Sequence, residues 1–121
     1  LDDWTEARRT LARRYSAALT SVNTPHVPDW ANPAWHLYVV RHSKRDALQQ
    51  TLAAEGISTM IHYPIPPHLQ AAYADCGYAK GVFPLAEGFA DDMLSLPIGP
   101  QMSHADQDRV IDAVNRLAST L

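Results

Sequence analysis

Apolar positions along this chain follow two different spacings, and the switches between them mark its elements. Trp4, Ala7, Leu11, Ala12, Tyr15, Ala18 and Leu19 recur at helical spacing, with Asp2 or Asp3 placed to cap the helix they predict. Arg8, Arg9, Arg13 and Arg14 lie mostly beside that stripe, either as a solvated cationic flank or as contacts for a partner surface. Residues 21–33 then carry Pro25, Pro28 and Pro33, a density that blocks helix and ladder alike and predicts an extended connection. Residues 35–42 are rich in aromatic and β-branched side chains and predict a strand.

Ser43, with Asp46 three positions on, forms a weak capping box for a second helix that packs through Ala47, Leu48, Thr51, Leu52 and Ala54. Gly56 stops it just past the cap. Residues 57–63 predict a second strand. The run from Tyr63 to His68 must leave the sheet, because Pro64, Pro66 and Pro67 cannot donate to a ladder. A short helix is predicted from about 67 to 74, ending before Gly77. Pro84 suits the first position of a further helix carrying Leu85, Ala86, Phe89, Ala90 and Met93. Residues 93–97 predict a third short strand. Ser103, with Asp106 three later, opens a last helix whose face is Val110, Ile111, Val114, Leu117 and Ala118. The alternation predicts an α/β sandwich: a sheet of about three strands, partly antiparallel, with helices packed on it.

The 121 residues fit one domain, and a hydrophobic fraction of 46% suffices for a modest core. With 10 basic and 13 acidic residues scattered along the chain, no basic run or stripe exists, which argues against nucleic acid or an anionic membrane as partner. No apolar run approaches the roughly 18 residues that span a bilayer, and residues 1–4 lack the marks of a signal peptide. The single cysteine, Cys76, rules out an internal disulfide, fits a reducing cytosol and reads as a bystander thiol. The chain does not begin with methionine, which suggests a cut-out piece or a processed product.

Six histidines raise the question of a metal, but none pairs at the helical spacing of a zinc protease and no CxxC is present, so no metal site is expected. No GxSxG, Walker A or GxGxxG motif occurs. The acidic pairs Asp2-Asp3 and Asp91-Asp92 read as solvated helix faces. The chemistry-bearing stretch is Ile61-His62-Tyr63-Pro64-Ile65-Pro66-Pro67-His68-Leu69-Gln70. It places imidazole and phenol groups on a proline-stiffened loop at a strand end, where rigidity lowers the entropic cost of binding. Equally, His62 could be a hydrogen-bonded edge residue and Tyr63 packing.

The order and spacing of five stretches resemble the C-terminal small domain of the DegT/DnrJ/EryC1/StrS family of sugar aminotransferases. Residues 1–15, with Leu1-Asp2-Asp3-Trp4 and Arg8-Arg9, look like the helix that leaves that family's large domain. Trp35-His36-Leu37-Tyr38-Val39-Val40-Arg41 looks like its first small-domain strand, and residues 56–70 are similar to its hallmark loop. Phe83-Pro84-Leu85-Ala86-Glu87 and Leu94-Ser95-Leu96-Pro97-Ile98-Gly99-Pro100 match its closing helix and strand.

The resemblance implies the small domain of a fold-type I, pyridoxal 5'-phosphate (PLP)-dependent enzyme, cytoplasmic and homodimeric. Such an enzyme transfers an amino group, usually from glutamate, to a nucleotide-linked keto sugar, in the making of polysaccharides or glycosylated metabolites. Residues 1–20 would lead out of an absent large domain and 21–121 would form the small domain. His62, Tyr63, His68 and Gln70 would bind substrate. Neither lysine, Lys44 or Lys80, has the context of the family's Schiff-base lysine, so this chain alone is expected neither to bind PLP well nor to turn over. Surface meant for the large domain should make it self-associate. The competing readings are a stand-alone module that binds nucleotide-sugar or protein without catalysis, and a regulatory protein. No helix-turn-helix or basic recognition surface supports the latter.

Overall fold

The apolar stripe of the first helix is the floor of the core. In the computed structural model, which describes residues 1–121, helix α1 (Asp2–Ala18) buries Leu11, Ala12 and Tyr15, and Leu19 is buried just past its end. Neither aspartate caps it. Leu1 holds the cap position, and Asp2 and Asp3 sit in the first turn, where their charge meets the helix's positive end. Trp4 is 61% exposed, so the stripe runs on beyond the core.

Strands β1 (Tyr38–Arg41) and β2 (Met93–Leu96) pair antiparallel, with Tyr38 opposite Leu96 and Val40 opposite Leu94. Side chains alternate across a strand, so these four share one face, and all four are buried. Helices α1, α2 (Arg45–Ala54) and α4 (His104–Ala118) close over that face through residues such as Leu48, Leu52, Val110 and Val114. Tyr15 and Tyr38 stack with ring centroids 4.9 Å apart. Each hydroxyl is satisfied, Tyr15 donating to Pro97 O at 2.7 Å and Tyr38 sharing a 2.8 Å bond with Ser16. Burial lifts both phenols above their ordinary pKa.

The α/β class stands, with fewer strand residues than the pattern predicts. Residues 57–63 contribute only Met60, whose N–H donates to Ser95 O at 3.2 Å while Ser95 N–H donates to Met60 O at 2.8 Å. The prolines that follow have no donor with which to continue. The first strand is shorter than 35–42 because Trp35 turns to a φ of 54°. The Arg8 guanidinium takes the carbonyls of Trp35 and His36, each at 3.1 Å. The short helix near residue 67 becomes two 3₁₀ segments, Pro67–Leu69 and Ala71–Cys76, of which only the His68 side chain turns inward.

Helix ends divide in the same way. Gly56, at φ 76°, closes α2 as expected: its N–H donates to Ala53 O at 3.0 Å, and Ile57 N–H reaches Leu52 O at 2.9 Å. This is a Schellman arrangement with both apolar partners in the core. Ser103 caps α4, its Oγ accepting from Asp106 N–H at 3.0 Å. Ser43 does not cap α2. Lys44 occupies the cap position and donates its N–H to His42 Nδ1 at 3.1 Å, while Asp46 binds the neighbouring Arg45 side chain at 2.6 Å.

Of the arginines of α1, Arg13 lies on a solvated flank and the other three are engaged elsewhere in the chain. Arg9 donates to Pro33 O at 3.1 Å, Arg13 pairs with Glu6 at 2.7 Å, and Arg14 pairs with Asp108 at 2.6 Å. Arg9 ties the proline-rich connection to α1, Arg8 the entry to β1 and Arg14 α4, while Arg13 braces α1 itself. Polar side chains at least partly buried do similar work elsewhere. Gln107 donates to Leu11 O at 2.6 Å. Asn115 closes the end of α1 by donating to Ala18 O and accepting from Thr20 N–H, both at 2.8 Å. Arg45 donates to Ala90 O and Met93 O, each at 3.0 Å. It thereby satisfies carbonyls at the end of α3 (Pro84–Asp92), which Pro84 opens as expected. Asp92 is not a solvated residue either: it accepts a two-pronged bond from Arg41, whose guanidinium lies 4.5 Å above the Phe89 ring.

Candidate functional site

The second face of the sheet, carrying Val39, Arg41, Met93 and Ser95, is where the loop after Met60 comes to rest. The Met60 bridge sets the loop against β2, and His62 then places Nδ1 2.9 Å from Ser95 Oγ. The Tyr63 ring stands edge-on to His62 at 5.4 Å and is 69% exposed. Pro66 is buried and anchors the far side of the turn. Gln70 comes back towards the loop and donates to Ile65 O at 3.3 Å.

His62, Tyr63 and Gln70 line one cavity of about 260 Å³, whose opposite wall is Ala86, Phe89, Ala90 and Met93. Three of the four predicted site residues are thus brought together. His68 is not among them. Its side chain is buried, its Nε2 lies 2.9 Å from Glu87 Oε1, and its ring meets Phe83 edge-on at 4.9 Å. Glu87 also accepts Gly81 N–H, at 2.8 and 3.0 Å. The hydrogen bond from His68, with those from the Gly81 and Phe83 backbones, holds the Glu87 carboxyl below the usual carboxylate range. One carboxylate therefore joins the hallmark loop, the loop at residue 81 and α3.

Two residues had no assigned role in the sequence pattern. Glu87 sits in the first turn of a proline-started helix, and Ser95 is the lone hydroxyl in an otherwise apolar strand. That lone hydroxyl was the available signal. A larger cleft, about 530 Å³, lies between α1 and the proline-rich connection, away from this loop. Its cations are already committed, Arg9 to Pro33 O and Arg13 to Glu6.

The residues of this chain do not by themselves fit PLP. Lys44 is exposed at the cap of α2. Lys80 is exposed too, and lines a cavity of about 160 Å³ with Glu87 and Asp91. Those carboxylates repel a phosphate, and no aromatic ring lines that cavity to stack on a pyridine. No three histidine, cysteine, aspartate or glutamate side chains converge, and no helix is long and apolar enough to cross a membrane.

Residues 1–115 match the model of the DegT/DnrJ/EryC1/StrS aminotransferase family. The chain is 49% identical over 114 residues to the erythromycin biosynthesis sensory transduction protein EryC1 of Saccharopolyspora erythraea, covering 92% of this chain and 31% of that protein. It is 44% identical over 121 residues to the dTDP-3-amino-3,4,6-trideoxy-alpha-D-glucose transaminase of Streptomyces venezuelae, covering 98% of this chain and 32% of that one. The solved structure of S. venezuelae DesV superposes with a TM-score of 0.94 at 41% identity, over 99% of this chain and 33% of that chain. The chain therefore spans about a third of the length of the relatives it matches. The Streptococcus pneumoniae protein Spr1654, solved in PMP and PLP forms, superposes in its PMP form with a TM-score of 0.86 at 25% identity, over 97% of this chain and 31% of that chain.

Proposed function

This chain belongs to the DegT/DnrJ/EryC1/StrS aminotransferase family, and on that premise we propose that it is the C-terminal small domain of a PLP-dependent nucleotide-sugar aminotransferase. The whole enzyme passes an amino group from glutamate to a keto sugar. Two relatives named as dTDP-3-amino-sugar transaminases favour a dTDP-linked 3-keto deoxysugar. PLP supplies the electron sink for that transfer, from a large domain that also carries the Schiff-base lysine. Residues 1–20 lead from that domain and 21–121 form the small one. The enzyme is a cytoplasmic homodimer, and the chain alone does not turn over.

The observation that carries this reading is the open cavity under the hallmark loop. His62, Tyr63 and Gln70 converge there from one side, against an apolar wall from α3 and β2. In this arrangement His62 and Gln70 hydrogen-bond the sugar nucleotide, and Tyr63 offers a phenol and a stacking face. The apolar wall suits a sugar ring that has lost hydroxyl groups. His68 serves from behind, holding the loop to Glu87 rather than touching substrate.

The test is amino transfer by the full-length protein loaded with PLP, given glutamate and a dTDP-linked 3-keto-6-deoxyhexose. The expected result is formation of the amino sugar, with Tyr63→Phe or His62→Ala raising KM by about tenfold. Tight binding of the sugar nucleotide with no transfer would replace this reading with that of a binding module.

A further inference from the structure

Ser95 is the one polar residue of β2, and it is only 5% exposed. Its backbone is occupied on the side of the loop, where its N–H and C=O both bond to Met60. Its hydroxyl has a single partner, His62 Nδ1, at 2.9 Å. A hydroxyl carries one proton, and a buried donor left unpaired loses its hydration without compensation. The only acceptor bonded to Ser95 Oγ is Nδ1. Were Nδ1 to carry the ring proton instead, the serine proton would be stranded. So Ser95 donates, Nδ1 accepts, and the proton of the neutral ring sits on Nε2.

The other half of the ring completes the case. Nε2 has no hydrogen-bond partner within the chain, yet it is not a buried orphan; Thr59 Oγ1 is the only buried side-chain polar atom without one. His62 lines the cavity, so its free nitrogen is available to a ligand. We infer that Ser95 is a positioning residue that locks His62 as the Nε2–H tautomer, making it a donor to an oxygen of the sugar nucleotide. The lock rests on the geometry alone, while its use for substrate rests on the functional reading above.

The direct test is nitrogen NMR of the full-length protein with ¹⁵N-labelled histidine, at about pH 8, above the ordinary histidine pKa of about 6.5. The lock predicts a His62 Nδ1 that is unprotonated and an Nε2 that carries the proton; the reverse spectrum overturns it. Ser95→Ala should convert that spectrum to a mixture of tautomers and raise KM for the sugar nucleotide about two- to tenfold, with a smaller change in kcat. Ser95→Thr, which keeps the hydroxyl, should restore both. Ser95→Cys, close in size but a weak donor, should behave like Ser95→Ala and guards against a loss caused only by packing. A tautomer unchanged in Ser95→Ala also overturns the lock. A normal KM in His62→Ala would instead sink the substrate-site reading and leave the lock to the nitrogen spectrum.

Discussion

Around Leu48, Leu94 and Val114 the chain excludes water completely, whereas every residue from 71 to 85 is exposed. Both regions contain apolar side chains, and both are held by polar clamps. In the core, Arg45, Gln107 and Asn115 tie helix ends and backbones together while the apolar faces turn inward. In the outer segment the Glu87 clamp holds His68 and Gly81, yet Tyr73, Tyr78, Val82 and Leu85 face solvent. Polar clamps thus accompany burial in one region and exposure in the other. The difference separates a closed core from an arm whose apolar side chains find no cover within the chain, in a sequence about a third the length of the relatives it matches.

The largest effect of a substitution should come from the core. Leu48→Ala should lower the unfolding free energy by about 2–5 kcal/mol, read by chemical denaturation, because the residue is fully buried and leaves a cavity. A loss below about 0.5 kcal/mol would mean that the core is no tighter than the arm. Gly56→Ala should cost about 1–2 kcal/mol by the same measurement, since its φ of 76° disfavours any side chain. The nearest atom to the added methyl, Arg109 Nη2, is 3.5 Å away, so the penalty is conformational and not a clash.

How much of this was legible in the sequence follows the same division. The Gly56 stop, the Pro84 start and the Ser103 cap are local signals that the fold honours, and the helical stripes hold in part: Trp4, Ala54 and Leu85 are exposed and Met93 lies in β2 rather than on α3. The second strand stops at the Met60 bridge, ahead of prolines that cannot donate to a ladder, and the Ser43 cap is displaced by His42 Nδ1, which accepts the Lys44 N–H at the start of α2. The roles of Arg8 and Arg45 were invisible for a different reason. Their carbonyl partners lie 27 to 90 residues away in sequence, at distances no periodicity encodes. In the site, the hallmark stretch gave residue types and a common loop, which puts His62, Tyr63 and Gln70 on one cavity. Nothing in it separates His68, whose turn towards Glu87 depends on where α3 packs.

The arm itself is the place for smaller effects. Glu87 titrates below the ordinary carboxylate value of about 4.3 because His68 binds its ionised form. A group with a depressed folded pKa adds stability above its unfolded pKa and loses it as pH falls through the folded one. Limited proteolysis of residues 71–85 should therefore accelerate as pH drops below about 4. In Glu87→Gln it should be fast at neutral pH already and nearly independent of pH, with the denaturation midpoint of the core barely moved. Equal pH dependence in both proteins would show that the clamp does not hold the arm.

The smallest effect on stability is also the one that best defines the arm. Leu85 is 77% exposed on α3, so Leu85→Ser should change the unfolding free energy by no more than about 0.5 kcal/mol. If Tyr73, Tyr78, Val82 and Leu85 form a surface awaiting another domain or a second copy, the chain by itself should associate as its concentration rises, and Leu85→Ser should weaken that association. Sedimentation velocity across a concentration series reads this directly. A wild-type chain that stays monomeric at high concentration would mean that its exposed apolar residues are too dispersed to drive contact. The difference between core and arm would then be one of packing alone, without a partner implied.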